Sequence, residues 1–216
     1  MIEKILQYTN LIQLFVVITF VTVLFRHDRT NPLDRILILI LSVSLLNELI
    51  TCLLMIFDRM TSIVYTVNVA IHHGLWIFLL SRLAKFRQPI LYAMSGYLGF
   101  ALFNILLLEG TKTFNYNTFI VGAILYLILF LIESFRQLRL ENLSYFTHRN
   151  YLLLCAPILL FVCLSFIFGF KSRTLATSII FGNIPLYTAI GFFANLVYYS
   201  LINIYIFRPK NSLDGI

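Results

Sequence analysis

ILILILSVSLLNELITCLLMIF, Ile36 to Phe57, is a run of 22 residues that is almost wholly apolar and carries one acid, Glu48, directly after Asn47. About 20 such residues cross the ~30 Å hydrocarbon core of a bilayer as a helix. An ionised carboxylate at that depth costs roughly 2.5–3.5 kcal/mol on insertion scales, so it is expected to face the interior of a bundle and to find a partner there. The fold class and the candidate site both start from this run.

Further runs of the same kind fill the chain. Spans are expected over 5–25, 36–57, 62–81, 90–108, 118–134, 151–170 and 183–207, which makes an all-α, polytopic membrane bundle of seven transmembrane helices in one domain over 1–216. The composition agrees: 60% of the 216 residues are hydrophobic and 12% charged, against roughly 45–50% and about 25% in soluble domains. The connections between spans are too short to fold into a catalytic, nucleotide-binding or DNA-binding domain. The first run begins with Glu3 and Lys4 and ends at Arg26-His27-Asp28-Arg29 with no small-residue cleavage site, so it reads as a retained helix and not a signal peptide.

Basic residues near span ends are held on the cytoplasmic side. Arg26, Arg29, Arg35, Arg82, Lys85, Arg87, Arg136, Arg139, Arg149, Arg208 and Lys210 follow odd-numbered spans, whereas Lys4, Arg59, Lys112, Lys171 and Arg173 lie on the other side. Eleven against five predicts an outside N-terminus and a cytoplasmic C-terminus, in a multi-pass protein of the cell inner membrane. The net charge of +7 then follows from topology. It is spread in threes over short loops, which points to contact with the lipid bilayer and not to nucleic acid.

The last apolar stretch, Leu175 to Phe207, would be about 50 Å long as one helix and is expected to break at Gly182-Asn183-Ile184-Pro185. A short outer or re-entrant helix is expected over 174–181. Pro157 is expected to kink its span and not to end it. Cys52, Cys155 and Cys163 lie within spans at no metal-like spacing and read as small apolar filler.

Helical spacing places Ser44, Asn47, Glu48, Thr51 and Met55 on one stripe, and Tyr65, Asn68, His72 and Trp76 on another, with His73 a quarter turn away. Thr188, Asn195, Tyr198 and Tyr199 form a third. The candidate ligand or proton site is therefore Glu48, Asn47, Asn68, His72, His73, Tyr65, Trp76, Asn195 and Tyr199. A ligand anchor or proton relay through Glu48 and His72 stands beside a structural alternative, buried hydrogen bonds that hold helices together. Glu133 is expected to pair with Arg136. No metal signature, cofactor motif or catalytic nucleophile is present. With no lysine inside any span a retinal Schiff base is excluded. The last span has none of the paired histidines of hydrolases related to alkaline ceramidase, and the early spans lack the prolines of three-plus-one-plus-three sugar transporters.

The segment from Val64-Tyr65-Thr66-Val67-Asn68 to Leu83 and the ending from Asn195 to Ile204 resemble stretches of small bacterial orphan seven-helix membrane proteins, some of them found beside sensor kinases. That resemblance covers spans two to seven. It implies a sensory input or accessory module with a membrane-associated signalling partner, and no catalytic residues. Those proteins often carry a glutamate where this chain has His72 or His73. The alternatives from the residues themselves are a small-solute or proton-coupled transporter using Glu48 and His72, and an intramembrane lipid hydrolase.

Overall fold

A computed structural model of the chain describes residues 11–28, 30–169, 178–182 and 184–208. The described residues are overwhelmingly helical. In chain order they form α1 (Leu11–Arg26), α2 (Pro32–Ile56), α3 (Ser62–Leu83), α4 (Arg87–Phe103) continuing into a π-helical turn (Asn104–Leu108), α5 (Tyr116–Arg139), the single turn α6 (Ser144–Thr147), α7 (Arg149–Gly169), a two-stranded hairpin of β1 (Ile179–Phe181) and β2 (Ile184–Pro185), and α8 (Leu186–Phe207). Six of these helices, α2, α3, α4 with its π turn, α5, α7 and α8, are long and apolar enough to cross a membrane. At 21 to 25 residues they reach about 31–37 Å. Large apolar side chains such as Leu46, Leu49, Leu53, Leu106, Leu107 and Ile132 stand exposed on them, the surface expected where the solvent is lipid. The described part of α1 has 16 residues, and the rest of the first expected span lies outside the described residues.

The chain forms two compact units, Met1–Gly122 and Ala123–Ile216. In the first, α1 packs on α2, α2 on α3 and α3 on α4. Its core is Leu37, Ile40 and Leu41 of α2 with Trp76, Ile77, Leu79 and Leu80 of α3. Asn31 caps α2, its side chain accepting from the Leu33 N–H, with Pro32 in the first turn. The other end of α2 closes in a Schellman motif: the Arg59 N–H bonds the Leu54 carbonyl at 2.8 Å and the Asp58 N–H bonds Met55 at 3.1 Å, with Asp58 at φ 52°.

In the second unit α7 and α8 are the main pair, around buried Tyr126, Phe161, Tyr198 and Tyr205. Pro157 lies inside α7, which runs through it to Gly169. The proline denies the Leu153 carbonyl its helical donor, and one residue further on the Tyr126 hydroxyl donates to the Leu154 carbonyl at 2.7 Å.

One element differs from the sequence reading. Where a helix is expected over 174–181, residues 179–181 are a strand paired antiparallel with 184–185, Ile179 opposite Pro185 and Phe181 opposite Ile184. Residues 174–177 lie outside the described residues. β-branched Ile179 favours extended backbone, and Gly182 at φ 56° supplies the reversal. The expected break before the last span is present, with α8 starting at Leu186 directly after Pro185.

Candidate functional site

Glu48 sits about two thirds of the way along α2, at the margin of that helix's buried stripe. Asn47 and Thr51 face inward, at 5% and 1% exposure, while Leu46, Leu49 and Leu53 face out. Gln13 reaches Glu48 from α1, its Nε2 donating to Glu48 Oε2 at 3.0 Å. The second neighbour is on α3, where Tyr65 lies within electrostatic reach of Glu48 and its hydroxyl approaches Thr51 without reaching hydrogen-bond geometry.

The α2–α3 hairpin fixes the rest. With Thr51 beside Tyr65 and the helices antiparallel, stepping about one turn away from the connection on each helix brings Asn47 and Glu48 level with Asn68. Of the sequence-derived set, Tyr65 thus lies within electrostatic reach of Glu48, and the helical repeat puts Asn47 and Asn68 near the same level. Two residues the set lacked join them. Gln13 is the lone amide in the apolar run of α1, and that isolation was its signal. Thr51 lies on the Asn47 stripe but, as a threonine, resembles many that merely back-bond their own helix.

Thr51 does not back-bond. Ser44 and Thr66 donate to the carbonyls of Ile40 and Ser62 four residues earlier, at 3.1 and 3.0 Å. Thr51 Oγ1 has no hydrogen-bond partner among the described residues, nor do Asn47 Oδ1 and Asn68 Oδ1. Each such buried group costs roughly 1–3 kcal/mol. Among the described residues the site is therefore a carboxylate that accepts from Gln13, with three buried oxygens on the same two neighbouring helices left without a partner.

His72, His73 and Trp76 belong to a different cluster. Trp76 Nε1 donates to His72 Nε2 at 3.3 Å, and since indole only donates, that imidazole nitrogen is an acceptor. His73 turns Nδ1 onto the Val69 carbonyl at 2.8 Å and packs edge-on against Phe119, centroids 4.9 Å apart. Gly122 is required beside it: a Cβ there would stand 2.7 Å from the Tyr97 hydroxyl and 2.8 Å from His73 Cδ2. No Glu48–His72 bond is seen among the described residues. Glu48 takes its hydrogen bond from Gln13, and the indole four residues along α3 holds His72 on its own helix.

Asn195 and Tyr199 fall in the second unit. Asn195 Nδ2 donates to its own helix at the Gly191 carbonyl, 2.8 Å, and Tyr199 packs edge-on with Tyr198 at 4.8 Å. In this unit Glu133 does pair with Arg136. Gln137 also donates to Glu133, at 2.8 Å, and Asn142 to Gln137, at 2.9 Å. Burial, together with the Glu133 carboxylate, pushes the Tyr145 phenol above its ordinary range. Arg149 stacks its guanidinium over Tyr205 at 4.9 Å. In the first unit, buried Asn104 at the π turn donates to Glu109 at 2.7 Å and to Thr118 at 2.8 Å. Because Glu109 also accepts from the Asn117 N–H at 3.1 Å, these bonds tie the connection between α4 and α5.

Among the described residues no group of three or more His, Cys, Asp and Glu stands ready to hold a metal ion. The three cysteines are free thiols. Comparison of the chain with protein-family models, with curated proteins and with solved structures returned no match.

Proposed function

We propose that the chain is a seven-helix sensory input or accessory module of the cell inner membrane, N-terminus outside and C-terminus cytoplasmic, which binds a small ligand at the Glu48 site and transmits a conformational change to a membrane-associated signalling partner. The observation that supports this reading is the set of buried oxygens on Asn47, Thr51 and Asn68 that have no hydrogen-bond partner among the described residues, on the same stretch of α2 and α3 as a carboxylate in an apolar helix. A site made only to glue helices would close its own hydrogen bonds, as Asn195 does. The site spans α1, α2 and α3, so a ligand that bridges them changes how three helices pack. That is a means of passing a signal without a domain outside the bilayer. The resemblance to small orphan seven-helix proteins is in keeping with it.

Native mass spectrometry of the full chain released from mild detergent tests the reading. The expected result is a bound small-molecule adduct on the wild type that is lost in Glu48→Gln, together with co-purification of a membrane partner. Repeated isolation of the protein alone, without adduct or partner, would overturn it.

A further inference from the structure

The Glu48 site also constrains the chemistry of what enters it. Three kinds of ligand could meet a membrane-embedded polar cluster: an anion, a neutral hydrogen-bonding molecule or a cation. An anion is excluded by the carboxylate itself, because like charges at short range in a low dielectric repel strongly and no cationic side chain among the described residues contacts Glu48. A neutral molecule would leave Glu48 with its charge uncompensated.

Resting on the reading of this cluster as a ligand site, we infer that it binds a small cation carrying N–H donors, a protonated primary amine. An alkylammonium presents three N–H groups and one positive charge. Among the described residues the site presents Asn47 Oδ1, Thr51 Oγ1 and Asn68 Oδ1 without a partner, and a carboxylate of which Gln13 takes one oxygen, Oε2. Burial of Asn47 and Thr51 makes those acceptors costly to leave open, and the ammonium satisfies them at the same time as it neutralises Glu48. Gln13 has a positioning role: its amide holds Oε2 and leaves Oε1 for the ligand. The apolar surroundings, with Leu45 and Leu54 half-buried and Leu53 exposed on α2, suit the alkyl part of such an amine. An alkali metal ion shares the charge but has to replace a full shell of oxygens, for which this set is short.

The test uses the full chain in lipid nanodiscs, with butylammonium, sodium and tetramethylammonium chlorides at equal ionic strength, and with butanol and urea as neutral probes. Fluorescence of Trp76, the single tryptophan of the chain, and thermal melting are the readouts. Butylammonium is expected to give a saturable shift, weakened about tenfold or more in Glu48→Gln and severalfold in Thr51→Val, which keeps the shape of the side chain while removing its hydroxyl. Tetramethylammonium, which has the charge but no N–H, is expected to give none. An equal response to tetramethylammonium on the wild type would overturn the inference, and that arm needs no variant to fold. Saturation by sodium alone would replace the amine with a metal ion. Saturation by neutral butanol or urea, abolished in Thr51→Val, would leave the ligand site standing and remove its cationic character. Flat responses to every probe would remove both.

Discussion

Gln13 and Glu48 meet across two helices at 3.0 Å, and this bond gives the carboxylate a partner inside an apolar helix. A hydrogen bond to a charged group is worth about 1.5–3 kcal/mol. Gln13→Leu is therefore expected to destabilise the protein by roughly that amount, since it removes the donor that Glu48 has among the described residues. The double variant Gln13→Leu/Glu48→Leu is expected to recover much of the loss, because no charge is left to satisfy. Melting curves of the two single variants and the double variant in detergent measure the coupling, and simple additivity would mean the bond contributes nothing. Gly122 gives a second case. With a Cβ placed 2.7 Å from the Tyr97 hydroxyl, Gly122→Ala is expected to cost about 1–3 kcal/mol, whereas Gly96→Ala, where a Cβ meets nothing within 4 Å, is expected to be neutral or slightly stabilising. Equal melting temperatures for the two alanine variants would contradict the packing around His73. The polar residues of α2 and α3 were legible as a site because helical spacing alone aligns Asn47 with Thr51 and Tyr65 with Asn68. The partner of Glu48 had only one mark in the sequence, the isolated amide of Gln13 in α1, and spacing along α2 alone does not say which face of α1 meets it. For His72 the spacing misled: a stripe shared with Asn68 says nothing of Trp76 capturing the imidazole from within the same helix.

The helices themselves were legible wherever length and apolarity decide, and their ends less so. Two helices close on residues held at positive φ that are not glycine: Asp58 at 52° after α2 and Glu141 at 54° after α5. The second is again a Schellman motif, Asn142 N–H on the Gln137 carbonyl at 3.1 Å and Glu141 N–H on Leu138 at 2.9 Å. A sequence scan that looks for glycine at this position passes over both. Left-handed backbone costs a residue with a Cβ roughly 1–2 kcal/mol, part of which returns to glycine as unfolded-state entropy. Glu141→Gly is therefore expected to stabilise the protein by about 1 kcal/mol or slightly less, read as a rise in melting temperature. A fall would show that the Glu141 side chain contributes more than its backbone costs. The π turn at 104–108 and the hairpin at 179–185 were illegible for a related reason. Both are set by a few hydrogen bonds, Asn104 to Glu109 and Thr118 in one case and the β1–β2 ladder in the other, while their apolar residues read as more helix.

For the whole molecule, the sequence and the fold agree on a multi-pass helical membrane protein, and the number of crossings turns on α1. Its 16 described residues span about 24 Å, short of the ~30 Å core, so the crossing depends on the residues that precede Leu11. The charge asymmetry predicts that α1 crosses, which makes seven spans, an outside N-terminus and a cytoplasmic C-terminus. The structure tempers that count, since Arg136 is paired with Glu133 and Arg149 is buried over Tyr205. Neither is a freely solvated loop charge. Arg82, Lys85 and Arg87 on one side carry the argument, against Arg59 and Lys112 on the other. Single cysteines placed in a background without Cys52, Cys155 and Cys163 decide it with an impermeant thiol reagent applied to intact cells. Cysteines at Arg59 and Lys112 are expected to label from outside, and those at Thr30, Lys85 and Glu141 only after the membrane is opened. A further cysteine near Lys4 settles α1: labelling from outside, opposite to Thr30, makes it a seventh span, and labelling on the same side as Thr30 reduces the bundle to six with both termini in the cytoplasm.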